Sequence, residues 1–444
     1  MQTGCGKRGI CGGHSVAGGP LIRIKNAVFP LWRRLPARPR QWVAHKIFGL
    51  VSLLRPGPSP LSQELAGDLS LPVVIVGFLS SPSGLGQAAR LAAEAYQQRG
   101  STVYGVDLSH RFFEKAGSIA HAIPDGRGIS GPAHVIVNIN APYMPYALWL
   151  LGRKFLRGKH VTGYWAWELP AVPSNWKRGF ACVHDIAVPS RFVAQAIERL
   201  DAGKPVRVAP HPVSLAAPPA RDRIAGPYSA QRPFTVLSVL NVASGFERKN
   251  PLALIRAFKL AFADDPACRL RLLVSNTEHY PVARTLIEAE KGDADNIEIA
   301  WNAMDRAAFL AWWGTPDLYA SLHRAEGFGL PLAEAMCAGY PVLATGWSGN
   351  TEFMDEENSF LVGCRMVDVL DAQSKYPTGL TQWAEPDIHH AVELMRKARA
   401  EPGLSDEKAG RGRRAVLGLC DAQTFCARVQ GVPDSAPRAR PRGK

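Results

Sequence analysis

The chain predicts a two-domain α/β protein in which each half is a doubly wound parallel sheet. Three observations lead there. Short apolar runs of the kind buried in sheets alternate with helical stretches along most of the 444 residues, the pattern of successive β-α-β units. The series is interrupted once, from Pro210 to Pro233, by a segment rich in Pro, Ala and Arg, and then begins again. The length also exceeds a usual single domain, so two domains of about 150 to 200 residues are the natural division.

In the first half, Leu71 to Gly77 reads as a buried strand, because a near-continuous β-branched run suits a strand covered on both faces. Ser83-Gly84-Leu85-Gly86-Gln87 forms a glycine loop at the junction with a helix from Gln87 to Gln98, and Thr102 to Val106 supplies the next strand. Further strands are predicted at Ala133 to Asn140, His160 to Trp165, Asp185 to Val188 and Val206 to Ala209, with a helix from Ser190 to Leu200. The second half repeats the plan, with strands at Thr235 to Leu240, Leu270 to Ser275, Ile297 to Trp301, Leu318 to Ser321, Pro341 to Thr345 and Ser359 to Val362. The domain boundaries follow: a basic apolar arm over 1–68, a first domain over 69–215, a linker over 216–233, a second domain over 234–430 and a disordered tail over 431–444. No close internal repeat points to a solenoid or propeller.

Charge is uneven. Residues 1–63 hold ten Lys or Arg and no Asp or Glu, leaving +4 of the net +14 for the rest of the chain. Leu21, Ile22, Phe29, Trp32, Trp42, Ile47 and Phe48 interleave with those cations, a mixture that suits an anionic membrane surface. The same composition also fits a cleaved targeting segment or a solvated tail. No run approaches the roughly 18 consecutive apolar residues that span a bilayer. No nucleic-acid module accompanies the positive charge. The eight cysteines show no C-x-x-C pair and read as thiols of a reducing compartment, hence a cytoplasmic setting, peripheral on the inner face of the cell membrane.

The chemistry concentrates in Ser321 to Met336. Pro331 suits a first helical position, so Glu326-Gly327-Phe328-Gly329 is the loop leading into a helix. Amides at a helix N-terminus favour an anion such as a diphosphate, and Gly327 and Gly329 allow close approach of a ligand to the backbone. Glu326 would repel phosphate and makes better sense accepting hydrogen bonds from neutral hydroxyls, with Glu334 one turn into the helix reaching another pair. Sugars supply such pairs; a surface acid and a dipole-favoured first-turn acid explain the same spacing. In the other strand-to-helix loop of this half, Asn241 to Pro251, the cations Arg248 and Lys249 stand together. They suit neutralisation of a departing diphosphate, or a solvated pair before a helix.

Glu326 and Glu334 match the E-x7-E signature of family 4 glycosyltransferases, the retaining GT-B enzymes that use nucleotide sugars. Ala335 to Thr345 resembles that family's helix, turn and following strand, and Gly346 to Phe353 resembles its next glycine-containing loop. Trp165-Ala166-Trp167-Glu168-Leu169-Pro170 and Ala187 to Phe192 resemble landmarks of its first domain; packing accounts for Trp165 and Trp167 as well as sugar stacking does. The resemblance implies the GT-B fold, two Rossmann-like domains facing a cleft. It implies that Glu326 lies by the transferred sugar, that Glu334 binds the ribose, and that the backbone of Gly327, Phe328, Gly329 and Leu330 holds the diphosphate. Lys249 aligns with the family's lysine. An Arg usually stands several positions earlier, where this chain has Ser244, and Arg248 is instead adjacent to the Lys. Gly84 and Gly86 would approach donor phosphates or acceptor across the cleft.

The expected activity is therefore transfer of a hexose, of mannose or glucose type, from a nucleotide diphosphate sugar to a glycan or lipid-linked oligosaccharide in polysaccharide assembly. The resemblance also implies front-face attack, in which the departing phosphate oxygen takes the acceptor proton and no enzymic nucleophile is needed. No metal is expected to be required, and Asp293-Ala294-Asp295 reads as a solvated turn rather than a metal site. His184 and His211 are acceptor-side candidates weighed against plain packing, and His323, three residues before Glu326, is placed to support the phosphate-sugar clamp formed by the Glu326 to Gly329 loop and the helix start after it. Two other readings stay open: an epimerase or NAD-dependent oxidoreductase built on Gly84, Gly86 and Asp107, and a non-catalytic sugar-binding scaffold.

Overall fold

A computed structural model describes residues 65, 67–112, 119–201, 203–213, 227–301, 304, 306–376 and 381–432. The basic arm up to 64, the centre of the linker at 214–226 and the tail from 433 lie outside the described residues, and so do Cys5 and Cys11. Among those described, no helix is long and apolar enough to cross a membrane.

In the first half, β1 (Val73–Gly77) leads to α1 (Gly84–Gln98) and β2 (Val103–Asp107), then β3 (His134–Val137), α2 (Met144–Leu156), β4 (His160–Tyr164), β5 (Asp185–Val188), α3 (Arg191–Glu198) and β6 (Val206–Val208). These six strands form one parallel sheet in the order β2-β1-β3-β4-β5-β6. The buried Val-Val-Ile-Val run of β1 sits inside the sheet, as an uninterrupted apolar strand must when helices cover both faces. Ser83 caps α1 by accepting from the Gly86 amide at 3.3 Å, and Ser190 caps α3 by accepting from Val193. Gly84 and Gly86 thus lie in the first turn of α1, not in a loop before Gln87, because the serine cap starts the helix three residues earlier.

The second half contains β7 (Phe234–Asn241), α4 (Pro251–Phe262), β8 (Cys268–Ser275), α5 (Val282–Lys291), β9 (Ile297–Trp301), α6 (Arg306–Trp313), β10 (Leu318–Ser321), α7 (Leu330–Cys337), β11 (Val342–Thr345) and β12 (Phe360–Val362). Its sheet runs β12-β11-β10-β7-β8-β9, again parallel. The order reverses between β7 and β10, so the loops after these two strands diverge to opposite faces and open a crevice at their carboxyl ends. An antiparallel hairpin of β13 (Cys364–Asp368) and β14 (Gln382–Pro386) follows, then α8 (Ile388–Ala400), α9 (Pro402–Leu419) and α10 (Ala422–Gln430).

The last helix corrects the expected boundary of the second domain at 430. Ala422, Phe425, Cys426 and Val429 of α10 join the core of the first sheet, beside Val73, Ile75, Tyr96 and Tyr164. Arg207 of β6 anchors it through the carbonyls of Arg428 and Val429. At the crossing in the other direction, Val213 already packs in a second-half cluster with Leu237 and Trp313. The chain therefore passes between lobes twice.

Candidate active site

Glu326 and Lys249 meet at the crevice where the second sheet reverses. Lys249 stands in the loop after β7 and Glu326 in the loop after β10, and Lys249 Nζ lies 2.5 Å from Glu326 Oε1. Arg248 Nη1 lies 3.1 Å from the other carboxylate oxygen. Local chemistry sets the Lys loop: Gly245 takes φ of 107°, open only to glycine without strain. Asn250 takes a left-handed turn, and Pro251 starts α4 with φ already helical.

The two cations have different surroundings. Arg248 is 2 % exposed; its Nε and Nη2 donate to the Ser244 carbonyl at 3.2 and 2.9 Å, and Nη1 donates to the Ala325 carbonyl at 2.5 Å. It is a strut that ties the β7 loop to the β10 loop and aims the carboxylate. Burial works against its charge, but Tyr376, Glu326 and Glu168 outweigh that and hold its pKa above the ordinary value. Lys249 Nζ donates to Glu326; burial draws its pKa down, with Glu326 opposing. Burial likewise opposes ionisation of Glu326, yet Lys249 and Arg248 bring its pKa to about 2, so it is a carboxylate throughout the neutral range.

Behind Glu326 a buried polar network fixes its backbone. The Glu326 amide donates to Ser348 Oγ at 2.8 Å, and the Gly349 amide donates to the Glu326 carbonyl at 2.8 Å. Ser348 holds φ of 81°, a strained setting for a side-chain-bearing residue and one that clusters at functional sites. His323 Nε2 faces Asn350 Oδ1 at 3.1 Å, and Asn350 Nδ2 donates to the Thr345 carbonyl. The amide orientation assigns the proton of His323 to Nε2. Burial lowers the His323 pKa to about 4, so the ring is neutral within this network.

Gly329 starts α7 with φ of 93°, and Leu330, not Pro331, is the first helical residue. Pro331 carries no N–H, and the Leu332 amide donates to the Gly329 carbonyl at 3.0 Å, so the first-turn donors without a partner in their own helix are the Gly329 and Leu330 amides. Glu334 sits half-buried one turn along. Gly349 packs tightly here: a Cβ on it would lie 2.2 Å from the Gly327 carbonyl oxygen and 2.7 Å from the Phe328 amide. Gly349→Ala is expected to cost about 1–3 kcal/mol in urea denaturation, because the Gly327 backbone must move.

The first lobe touches this loop directly. Ser190 Oγ donates to the Gly327 carbonyl at 2.7 Å, and the Arg191 amide donates to Glu352 at 2.8 Å. His211 packs its ring edge on Phe328, with centroids 5.1 Å apart, and its Nδ1 lies 3.0 Å from the Tyr164 hydroxyl. Burial takes its pKa to about 3. His211 is therefore at the clamp as a neutral packing group.

Other expected residues do not converge there. His184 precedes β5 at the amino end of the strand, whereas Ser190, which meets Gly327, follows its carboxyl end. Its Nδ1 accepts from the Val161 amide at 2.8 Å and its ring stacks on His160, so it is a structural group at the far edge of the sheet. Gly86 has no room for a side chain, since a Cβ would lie 2.4 Å from the Ser81 carbonyl oxygen; Gly84 faces open space at the same carboxyl edge as Ser190. Asp107, needed for the nicotinamide reading, instead pins its own loop through Ser80 and Ser109. Asp293 and Asp295 precede β9 at the amino edge of the second sheet, opposite the crevice.

The residues that sequence reasoning missed are Ser348, Asn350, Tyr376 and the carboxylate of Glu168. Tyr376 and Trp383, from the hairpin segment, pack with Leu169 and Ala325. The Arg324 guanidinium is bidentate on Glu385 at 2.5 and 3.1 Å, which ties the hairpin to the clamp strand.

The buried histidines give the fold an acid sensitivity. His134, His211 and His323 have pKa values near 4, 3 and 4 when folded, against about 6.5 unfolded. Burial is the main cause in each. Their depressed values mean that full stability holds above about 6.5 and is lost as pH falls toward the folded values. Each contributes a slope of about 1.4 kcal/mol per pH unit in that window. Urea midpoints are expected to fall steadily between pH 6.5 and 4, with Glu326 adding to the loss only below the usual carboxylate range.

Residues 186–401 match the family model described as Family 4 Glycosyltransferase in conflict systems. That segment is just under half of the chain and carries Arg248, Lys249, Glu326 and Glu334. No curated protein matches the sequence. Among solved structures, HepE of Anabaena in complex with UDP and glucose superposes with a TM-score of 0.55 at 14% identity, over 82% of this chain and 100% of that one. Sucrose-phosphate synthase of Thermosynechococcus elongatus gives 0.55 at 15% identity, over 82% and 98%. These likenesses show the GT-B fold. TarM gives 0.48 at 14% identity over 68% of this chain, which spans 55% of TarM's length.

Proposed function

We propose that the chain is a glycosyltransferase of the family 4, GT-B type, and that it moves a hexose from a UDP- or GDP-sugar to a glycan or lipid-linked acceptor with retention of configuration. The observation that carries the reading is Glu326, held ionised between Arg248 and Lys249 at the point where the second sheet reverses. A locked carboxylate there accepts hydrogen bonds from sugar hydroxyls. The ammonium of Lys249, unlike the consumed guanidinium of Arg248, turns to the diphosphate and stabilises it as the glycosyl bond breaks. The Gly329 and Leu330 amides at the start of α7 add donors to the same phosphates, and Glu334 takes the ribose hydroxyls.

In this mechanism the bond from C1 to the diphosphate oxygen breaks as the bond from C1 to the acceptor oxygen forms on the same face. The acceptor proton passes to the departing phosphate. No metal is assigned a step. UDP is the favoured nucleotide, supported by the UDP complex of the similarly folded HepE. The test is product analysis by proton NMR after incubation with UDP-glucose, UDP-N-acetylglucosamine or GDP-mannose. An α-linked product from one α-linked donor is expected; a β-linked product would contradict retention.

The same proposal places the protein in the cytoplasm, peripheral on the anionic inner face of the cell membrane and acting in polysaccharide assembly. Its support is the ten cations and interleaved aromatic residues of 1–63, worth about 1 kcal/mol per cation near such a surface. Full-length protein is expected to sediment with phosphatidylglycerol vesicles and to remain in the supernatant with phosphatidylcholine vesicles, while a chain lacking 1–63 binds neither.

A further inference from the structure

The turn that carries Arg248 and Lys249 is capped by a residue from far along the chain. Phe246–Lys249 form a single helical turn, closed by the Lys249 amide on the Gly245 carbonyl at 3.0 Å and the Asn250 amide on the Phe246 carbonyl at 2.9 Å. The residue before such a turn commonly accepts from one of its first amides through a short polar side chain. Here that residue is Gly245, which takes φ of 107° and has no side chain to offer. Glycine meets the demand of the backbone and leaves the cap open.

Gln373 fills it from the segment between β13 and β14. Its Oε1 accepts from the Phe246 amide at 2.6 Å, and its Nε2 donates to the Val242 carbonyl at 3.2 Å. One side-chain amide therefore grips the loop on both sides of Gly245, where the backbone has most freedom to swing. Lys375 Nζ adds a bond to the Ala243 carbonyl. The Tyr376 ring closes on Gly245 itself: a Cβ there would lie 3.4 Å from Tyr376 Cε2 and from Arg248 Cβ.

Gln373 is itself held in place. The buried Asp371 carboxylate accepts from the amides of Gln373, Lys375 and Tyr376 at 3.1, 2.6 and 3.0 Å, and Ser374 takes φ of 53° within that turn. A left-handed residue other than glycine is strained, and such strain persists where the surroundings fix it. Tyr376 is buried in one cluster with Trp383 of β14 and Leu169 of the first lobe. The brace is thus a fixed frame and not a second loose loop.

We propose that Gln373 is a positioning residue for glycosyl transfer, fixing the turn from Phe246 to Lys249 so that the Lys249 ammonium reaches the departing diphosphate. This rests on the transferase reading above. Gln373 exchanges no proton and touches no reacting atom; the bonds made and broken at C1 are those already described. Arg248 is anchored on the Ser244 and Ala325 carbonyls. Lys249 is anchored on Glu326, and once its ammonium turns to the diphosphate its placement depends on the backbone of the turn.

The test measures nucleoside diphosphate release from UDP-glucose and GDP-mannose by full-length wild type, Gln373→Met, Gln373→Glu, Lys249→Ala and the double variant carrying Gln373→Met with Lys249→Ala. Water, methyl α-D-glucopyranoside and methyl α-D-mannopyranoside serve as attacking hydroxyls, and urea midpoints check the fold. Gln373→Met keeps the length of the side chain and removes both hydrogen bonds; kcat is expected to fall about tenfold with donor KM within about twofold. Gln373→Glu keeps an acceptor for the Phe246 amide and is expected to lose less. In the double variant the Gln373 change is expected to add nothing to the loss in Lys249→Ala, because both act through one group. Wild-type kcat in Gln373→Met would overturn the proposal. So would a loss that persists in full in the Lys249→Ala background, or one equalled by Gln373→Glu, since either would make Gln373 a general prop of the loop. A wild type that neither releases nucleoside diphosphate nor is stabilised by UDP or GDP would instead sink the transferase reading, and this role with it.

Discussion

Arg248→Ala is expected to lower the unfolding free energy by about 3–5 kcal/mol, the cost of removing one partner from a buried ion pair. The substitution strips Glu326 of a charged neighbour at 3.1 Å and leaves the Ser244 and Ala325 carbonyls without their guanidinium donor. It also removes one tie between the loop after β7 and the loop after β10, which stay joined by the Arg324 amide on the Arg248 carbonyl, the Arg324 guanidinium on the Glu247 carbonyl and Lys249 on Glu326. Arg248→Lys is expected to recover little, because one ammonium cannot reproduce a fork that spans two carbonyls and a carboxylate. Urea denaturation followed by far-UV circular dichroism measures both variants. A loss under about 1 kcal/mol, the range of an exposed pair, would show that Arg248 is no strut.

Lys249→Ala, one residue along, has the opposite profile. Among the described residues the lysine bonds through its side chain to Glu326, and removing it leaves that carboxylate paired with Arg248. The fold is therefore expected to survive with a smaller stability loss, while kcat falls about 10²- to 10³-fold, the usual cost of deleting one preorganised group that stabilises developing charge. Glu326→Gln should resemble Lys249→Ala in activity. Steady-state release of nucleoside diphosphate from the active donor checks this, and a Lys249→Ala protein within about threefold of wild type would exclude contact between Lys249 and the leaving group.

The sheets were largely legible in the sequence. The strands Asp185–Val188, Ile297–Trp301 and Leu318–Ser321 fall on their expected bounds, because apolar runs in a parallel sheet are covered on both faces and carry little local ambiguity. Glu326 with Lys249 was legible as well, from two strand-to-helix junctions that a doubly wound sheet must bring to one edge. What escaped depends on partners remote in sequence. Whether Arg248 faces phosphate or props a loop is decided by carbonyls at Ser244 and Ala325, which its own neighbourhood does not announce. Tyr376 and Trp383 arrive on an antiparallel hairpin outside the parallel series. His184 was misplaced because a histidine beside an acid looks the same at either end of a strand, and only the register puts it away from the clamp. The α10 helix carries its apolar face as any C-terminal helix would, and nothing local says that the face belongs to the other lobe.

The central claim is that the crevice between β7 and β10 binds a nucleoside diphosphate through Lys249, the α7 amides and Glu334. Its most direct measurement is the thermal shift of purified full-length protein, and of Glu334→Ala, with UDP, GDP, ADP and NAD. One nucleoside diphosphate is expected to stabilise the wild type by about 2.7 kcal/mol at a hundred times its Kd, and the shift is expected to be lost or much reduced in Glu334→Ala. A response to NAD alone, to no diphosphate, or one equal in both proteins would contradict the account.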